Sequence, residues 1–254
     1  DDKSARILTA KCWSFPLPIE KIDDARHWFH TIYNEHFDEI QHHMQHSNTP
    51  IYSAWLQTNK QNAWIIEYWQ TATHRHEHIK EKPDSQSHPF LSCDLDWQKH
   101  LCENQFDSLK RLQPIIQYQA PDFTYDENND DILASVMPIR SGKYQQCVTT
   151  INHWQHNQKE AMDAYCHRMG IRHWQAWIEQ LADAYYLIQY HMLKPNSHID
   201  DFYDNYQLDA SDFAEHIRQF GIECCDVDLR NQHDWYDLED LCHISRPHYE
   251  NRNN

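Results

Sequence analysis

Hydrophobic and polar positions change period several times along the chain, and each change marks an element. Residues 6–16, RILTAKCWSFP, read as a strand that Pro16 and Pro18 stop. From Lys21 to Gln45 the apolar residues Ile22, Ala25, Phe29, Ile32, Tyr33, Ile40 and Met44 recur at three- and four-residue steps. That stripe predicts one long amphipathic helix, closed by Asn48 and Pro50. Ile51–Thr58 and Asn62–Thr71 follow as a strand pair close enough for a hairpin. A polar stretch, Thr73–His88, precedes a short helix at Asp96–Glu103 and a closing strand at Gln113–Ala120.

The same order then returns. Ile132–Ile139 reads as a strand, Tyr144–Met169 as a helix stopped by Gly170, and Ile171–Glu179 with Ala184–Met192 as a hairpin. A helix over Asp212–Phe220, capped by Ser211 or Asp209, precedes a closing strand at Gly221–Arg230. The hairpins carry the clearest sign of duplication. AWLQTNKQNAWIIEYW, Ala54–Trp69, returns without a gap as AWIEQLADAYYLIQYH, Ala176–His191, at a spacing of 122 residues. Weaker echoes keep the same order: His27-Trp28-Phe29-His30 with His153-Trp154-Gln155-His156, and the helix around His100 with that around His216. The expected organisation is a first unit over 1–125, a second over 126–231 and a C-terminal tail over 232–254, with acidic Pro121–Asp131 as the boundary.

Each unit reads β-α-β-β-α-β, the ferredoxin-like order of an antiparallel sheet with helices on one face. The fold class expected is therefore α+β, two tandem ferredoxin-like units packed as an intramolecular pseudo-dimer. On this order and the hairpin repeat, Arg6–Ala120 and Ile132–Arg230 resemble the dimeric α/β-barrel superfamily. That superfamily includes small monooxygenases, chlorite-dismutase-like haem proteins and domain families of undefined function. The chain is most similar to one of the last, in which a long first helix precedes such a hairpin and a segment like His88-Pro89-Phe90 follows. No catalytic signature of the superfamily matches residue by residue, so the resemblance implies a fold and no site residues.

Composition narrows the function. Three glycines in 254 residues leave no glycine-rich phosphate loop. A net charge of −17 opposes binding to nucleic acid or to anionic membrane surfaces. No apolar run approaches the roughly 20 residues that span a bilayer. The 8 cysteines form no CxxC pair, which favours reduced thiols and a cytoplasmic setting, although a chain that begins at Asp1 leaves room for a removed leader.

Candidate chemistry comes from strand parity. Trp64, Ile66 and Tyr68, with Tyr186, Ile188 and Tyr190, form one nearly apolar set suited to packing under the helices. Ile65, Glu67 and Trp69, with Leu187, Gln189 and His191, form the other, suited to a cleft between the units. Hairpins centred near Lys60 and Ala182 would pair Ser53 with Glu67 and Trp55 with Ile65, and would pair His173 with His191, Gln175 with Gln189 and Trp177 with Leu187. The cleft would then be walled by Trp55, Gln57, Glu67, Trp69, Trp177, Glu179, Gln189 and His191. Aromatic walls with a few polar groups are the composition of a small-molecule site and equally of an interface.

Metal is the weaker expectation despite 21 histidines. His173 and His191 are the candidates on the cleft face. Glu39 and His42 resemble a metal-helix pairing, but the repeat has Met162 and Met169 where His36 and His43 stand. Asp200, Asp201 and Asp204 lack a calcium-loop pattern, and His233, Cys242, His243 and His248 lack a zinc spacing. The leading expectation is a protein that binds a small molecule, with no cofactor identified and the oligomeric state open. The alternatives are an oxygenase-like or haem- or metal-dependent enzyme, and an interaction protein whose acidic surface meets a basic partner.

Overall fold

A computed structural model of the chain describes residues 6–58, 62–74, 101, 109–124, 131–231, 234 and 237–245. The expected short helix at 96–103, apart from Leu101, and the segment His88-Pro89-Phe90 lie outside the described residues. The architecture is α+β: two four-stranded sheets with helices, as two tandem ferredoxin-like units require.

In chain order the elements of the first half are β1 (Arg6–Leu17), α1 (Ile22–Glu35), α2 (Phe37–His46), β2 (Ile51–Thr58), β3 (Ala63–His74) and β4 (Leu109–Gln119). Those of the second are β5 (Ile132–Ile139), α3 (Tyr144–Asn157), α4 (Lys159–Met169), β6 (Ile171–Leu181), β7 (Ala184–Leu193), α5 (Ile199–Leu208), α6 (Asp212–Cys225) and β8 (Asp237–Ser245).

The structure carries the duplication further than the sequence echoes do. Each long helix predicted from the apolar stripe is two helices, broken at His36 (φ −120°, ψ 23°) and at Gln158 (φ −123°, ψ 35°). These breaks are again 122 residues apart. Just past each second helix stands a left-handed residue, Asn48 at φ 51° and Gly170 at φ 72°, also 122 apart. A stripe at helical spacing survives a single non-helical residue, so periodicity reported the face and missed the break.

The fourth strand of each sheet is a correction. The sheets run β1-β3-β2-β8 and β4-β6-β7-β5. The strand expected to close the first unit, β4, pairs antiparallel with β6 of the second half, from Leu109↔Leu181 to Gln119↔His173. Gln155 of α3 secures it, accepting from the Gln117 backbone N–H and donating to the Ile115 carbonyl. The expected tail supplies β8 beside β2. Compact unit 1 accordingly comprises residues 1–106, 125–128 and 238–254, and unit 2 residues 107–124 and 129–237.

The strand expected at Gly221–Arg230 is absent as well. Its first five residues continue α6, whose cap is Ser211: its Oγ accepts from Ala214 N–H at 3.2 Å. An alternating stretch with two buried cysteines has the pattern of a strand, but Gly221 allows a close approach that holds this one helical. A Cβ at Gly221 would lie 2.8 Å from the Val227 carbonyl oxygen, and Val227 N–H donates to the Gly221 carbonyl at 2.9 Å.

Candidate functional site

The two parity sets hold, but their sides are exchanged relative to expectation. In unit 1 Ile65 and Trp69 belong to one cluster with Ala25, Trp28, Phe29, Ile32, Ile40 and Met44 of the helices. The set containing Glu67 and Trp69 therefore lies under the helices, and Trp64, Ile66 and Tyr68 face away from them. Every one of these side chains is buried, so polarity had little power to choose a side.

The register is also one residue from the expected one. Glu67 pairs with Ala54 and Ile66 with Trp55. In unit 2 His191 pairs with Trp174, Gln189 with Ala176 and Leu187 with Ile178. A two-residue turn causes the slip: Leu181↔Ala184 closes the ladder and Ala182 takes φ 52°, without the glycine or asparagine that advertises such a turn. A slip of one changes the face of every partner. Trp55 and Gln57 thus lie on the face opposite Glu67 and Trp69, and Trp177 and Glu179 on the face opposite Gln189 and His191. His173 is likewise on the other face from His191, where its Nδ1 is 3.1 Å from the Tyr190 hydroxyl, which donates to Gln175 at 2.8 Å.

Under the helices of unit 2 lies a cavity of about 80 Å³, partly open to solvent. The sheet contributes Ile116, Leu133, Ser135, Met137, Trp174, Leu187, Gln189 and His191. Four helices supply mainly aromatic groups: Trp154, Tyr165, Phe202, Tyr203, Tyr206 and Phe220. The helix α5, which periodicity did not single out, provides three of these. Its sequence signal is Phe202, Tyr203 and Tyr206 interleaved with Asp200, Asp201 and Asp204.

The polar groups on the floor form one network with a gap. Trp174 Nε1 donates to Gln189 Oε1 at 3.1 Å, and Gln189 Nε2 donates to Ser135 Oγ at 3.3 Å. His191 lies between two rings, stacked on Trp174 at 4.9 Å and 28°, and tilted against Phe202 at 5.5 Å and 53°. It is 7% exposed, and its Nδ1 has no hydrogen-bond partner. Burial disfavours the imidazolium and lowers the His191 pKa to about 3, so the ring is neutral at physiological pH. The phenols of Tyr165 and Tyr203 are raised by the same desolvation and stay protonated.

The repeat offers an internal comparison. At the 122-residue spacing Tyr52 corresponds to Trp174, and Glu67 to Gln189. The bond between them recurs, since the Tyr52 hydroxyl donates to Glu67. Two neighbours do not recur: Trp13 becomes Ser135 and Trp69 becomes His191. In unit 1 those indoles pack edge to face at 5.4 Å, with Trp69 fully buried. A void in this layer of unit 1, lined among the described residues by Trp28, Phe29, Ile32, Ile40, Tyr52, Cys242 and Ile244, has about 10 Å³. Two large side chains fill unit 1 where two small polar ones leave unit 2 open.

The remaining candidates do not assemble into a centre. Among the described residues no group of three or more His, Cys, Asp or Glu is placed to hold a metal ion. His36 Nδ1 meets Glu39 at 3.1 Å on a partly exposed helix, and the His42 ring lies tilted 4.4 Å from that of His46. His27, His30, His153, His156 and His216 are exposed, as are Asp200, Asp201 and Asp204. His243 of β8 meets Ser53 at 2.6 Å, while His233 and His248 lie outside the described residues. Among the described residues no helix is long and apolar enough to cross a membrane.

No family model matches the chain, and none of the curated proteins does. Among solved structures it is similar to a candidate monooxygenase from Fusobacterium nucleatum subsp. nucleatum, at 10% identity over 95% of each chain and a TM-score of 0.39. It is also similar to a candidate monooxygenase from Lactobacillus acidophilus, at 10% identity over 95% of this chain and 96% of that one, with a TM-score of 0.38. At this identity and TM-score neither likeness bears on the chemistry of the site.

Proposed function

We propose that this protein binds a small molecule in the cavity of unit 2, with unit 1 as its filled counterpart. The observation that carries the reading is the paired replacement of Trp13 and Trp69 by Ser135 and His191 at the place where the cavity opens. Drift in a packing layer rarely trades a fully buried indole and the partly buried one beside it for an imidazole and a hydroxyl, because losing the buried indole alone forfeits several kcal/mol (about 3–5 for Trp→Ala). A ligand that occupies the space would return that contact.

The site supports binding better than turnover. Among the described residues, the cavity lining offers neither a carboxylate, an amine nor a thiol. His191, with its pKa lowered to about 3, is a weak proton acceptor. An oxygenase-like reaction therefore remains an implication of the family resemblance, without a residue of this cavity to carry it.

The test uses Nile red, an uncharged dye whose emission rises in apolar surroundings. Wild-type protein should bind it at one site, and the double variant Ser135→Trp/His191→Trp should lose that site while keeping its far-ultraviolet circular dichroism. Equal binding by both proteins would refute the reading.

A further inference from the structure

Resting on the reading of the unit 2 cavity as a binding site, we propose that its ligand is an uncharged flat ring compound that offers a hydrogen-bonding group to His191.

Charge is the first argument. In a chain with 24% charged residues and a net charge of −17, no Asp, Glu, Lys or Arg among the described residues lines this cavity. An ionic group carried inside would lose its hydration and meet no counter-charge, which is far more costly than burying a neutral polar group. His191 cannot supply the counter-charge, since burial keeps its ring neutral.

Shape is the second. The rings of Trp174, His191 and Phe202 form a layered wall, with spacings of 4.9 and 5.5 Å. Trp154 and Phe220 close another side, 5.0 Å apart and edge to face at 65°. Flat faces and edges of this kind favour a planar partner over a branched aliphatic one.

The polar partner is the third. Gln189 is engaged at both ends, by Trp174 and by Ser135, so its amide holds the floor in place. His191 is different: it is nine-tenths buried, lines the cavity and has a ring nitrogen without a partner. A buried polar atom in that state is destabilising until something bonds to the ring or displaces it.

The test titrates the full chain with 2-naphthol, 2-naphthoate and naphthalene at neutral pH, following quenching of tryptophan fluorescence. Three proteins are compared: wild type, His191→Phe and Ser135→Trp/His191→Trp. The expectation is that 2-naphthol binds wild type at least about 100-fold more tightly than 2-naphthoate, the charged ring being opposed by desolvation. His191→Phe should weaken 2-naphthol by about 10-fold, the size of one lost hydrogen bond, and leave naphthalene unchanged. Were His191 merely structural, both ligands would weaken together, and that result would overturn its assigned role. Binding of 2-naphthoate as tight as that of 2-naphthol, and lost in the double variant, would overturn the ligand class while leaving the cavity as a binding site. If no probe binds wild type, the class is overturned. The site itself then falls only if solvent extraction of the purified protein also yields no bound molecule.

Discussion

Exchanging the two residues that distinguish the layers tests the comparison between units from both directions. In Trp13→Ser/Trp69→His, unit 1 receives the residues of unit 2. Trp69 is fully buried in the unit 1 core, so removing its indole costs about 3–5 kcal/mol by analogy with Trp→Ala; the imidazole recovers part of that contact. A new buried ring nitrogen without a partner adds about 1–3 kcal/mol. With Trp13 only partly buried, the net loss should be about 3–5 kcal/mol, or roughly 6–20 °C in Tm for a chain of this size. The reverse pair, Ser135→Trp/His191→Trp, fills a cavity and removes the unpartnered nitrogen of His191, at the loss of the 3.3 Å Gln189–Ser135 bond. Its net cost should stay below about 1 kcal/mol, or the protein should gain stability. Guanidinium unfolding followed by circular dichroism reads both. If the first pair costs under about 1 kcal/mol and the second more than about 3, unit 2 is the better packed layer and the comparison fails.

Three further outcomes follow from other parts of the structure. The folded-state pKa values of His191 and His173, lowered to about 3 and about 4, lie below the ordinary histidine value, so the unfolded chain binds protons more readily between those values and about 6.5. Stability should thus be full above about pH 6.5 and fall as the pH drops toward 4, with His191→Phe lowering the proton uptake on unfolding by about one; an unchanged slope of stability against pH would contradict this. Gly221→Ala should cost about 1–3 kcal/mol, because its Cβ meets backbone at 2.8 Å, whereas Gly142→Ala, with open space but φ 78°, should cost about 1 kcal/mol; thermal unfolding orders the two. Arg218 is 6% exposed and donates from Nη1 to the Tyr206 carbonyl at 2.9 Å, so Arg218→Ala should destabilise unit 2 by about 2–3 kcal/mol and speed amide exchange along α5, and Lys should not restore it.

Much of the fold was legible because apolar periodicity and the 122-residue repeat report which residues share a face. The four strands of the two hairpins, both long helical stripes and the Ser211 cap follow from local pattern alone. What remained hidden depends on non-local choices. Nothing in Leu109–Gln119 indicates that its partner is β6, since an edge strand reads the same beside any sheet. The turn at Ala182–Asp183 lacks the residues that fix a register, and the resulting slip separated His173 from His191 and Trp55 from Glu67. At the site, Gln189 and His191 were visible as members of the divergent face, although placed toward the wrong neighbour. The paired change of Trp13 to Ser135 was also present in the sequence. Its meaning required knowing that positions 13 and 69 lie side by side, which the observed edge-to-face pair of indoles shows.

The central claim is that unit 2 holds a ligand where unit 1 holds indoles. A crystal structure of the protein grown with 2-naphthol tests it most directly. The account predicts a flat ring density in unit 2 against Trp174 and Phe202, with its hydroxyl at hydrogen-bond distance from His191. Ring density only on the surface, or in unit 1 beside Trp69 with the unit 2 cavity empty, would contradict it.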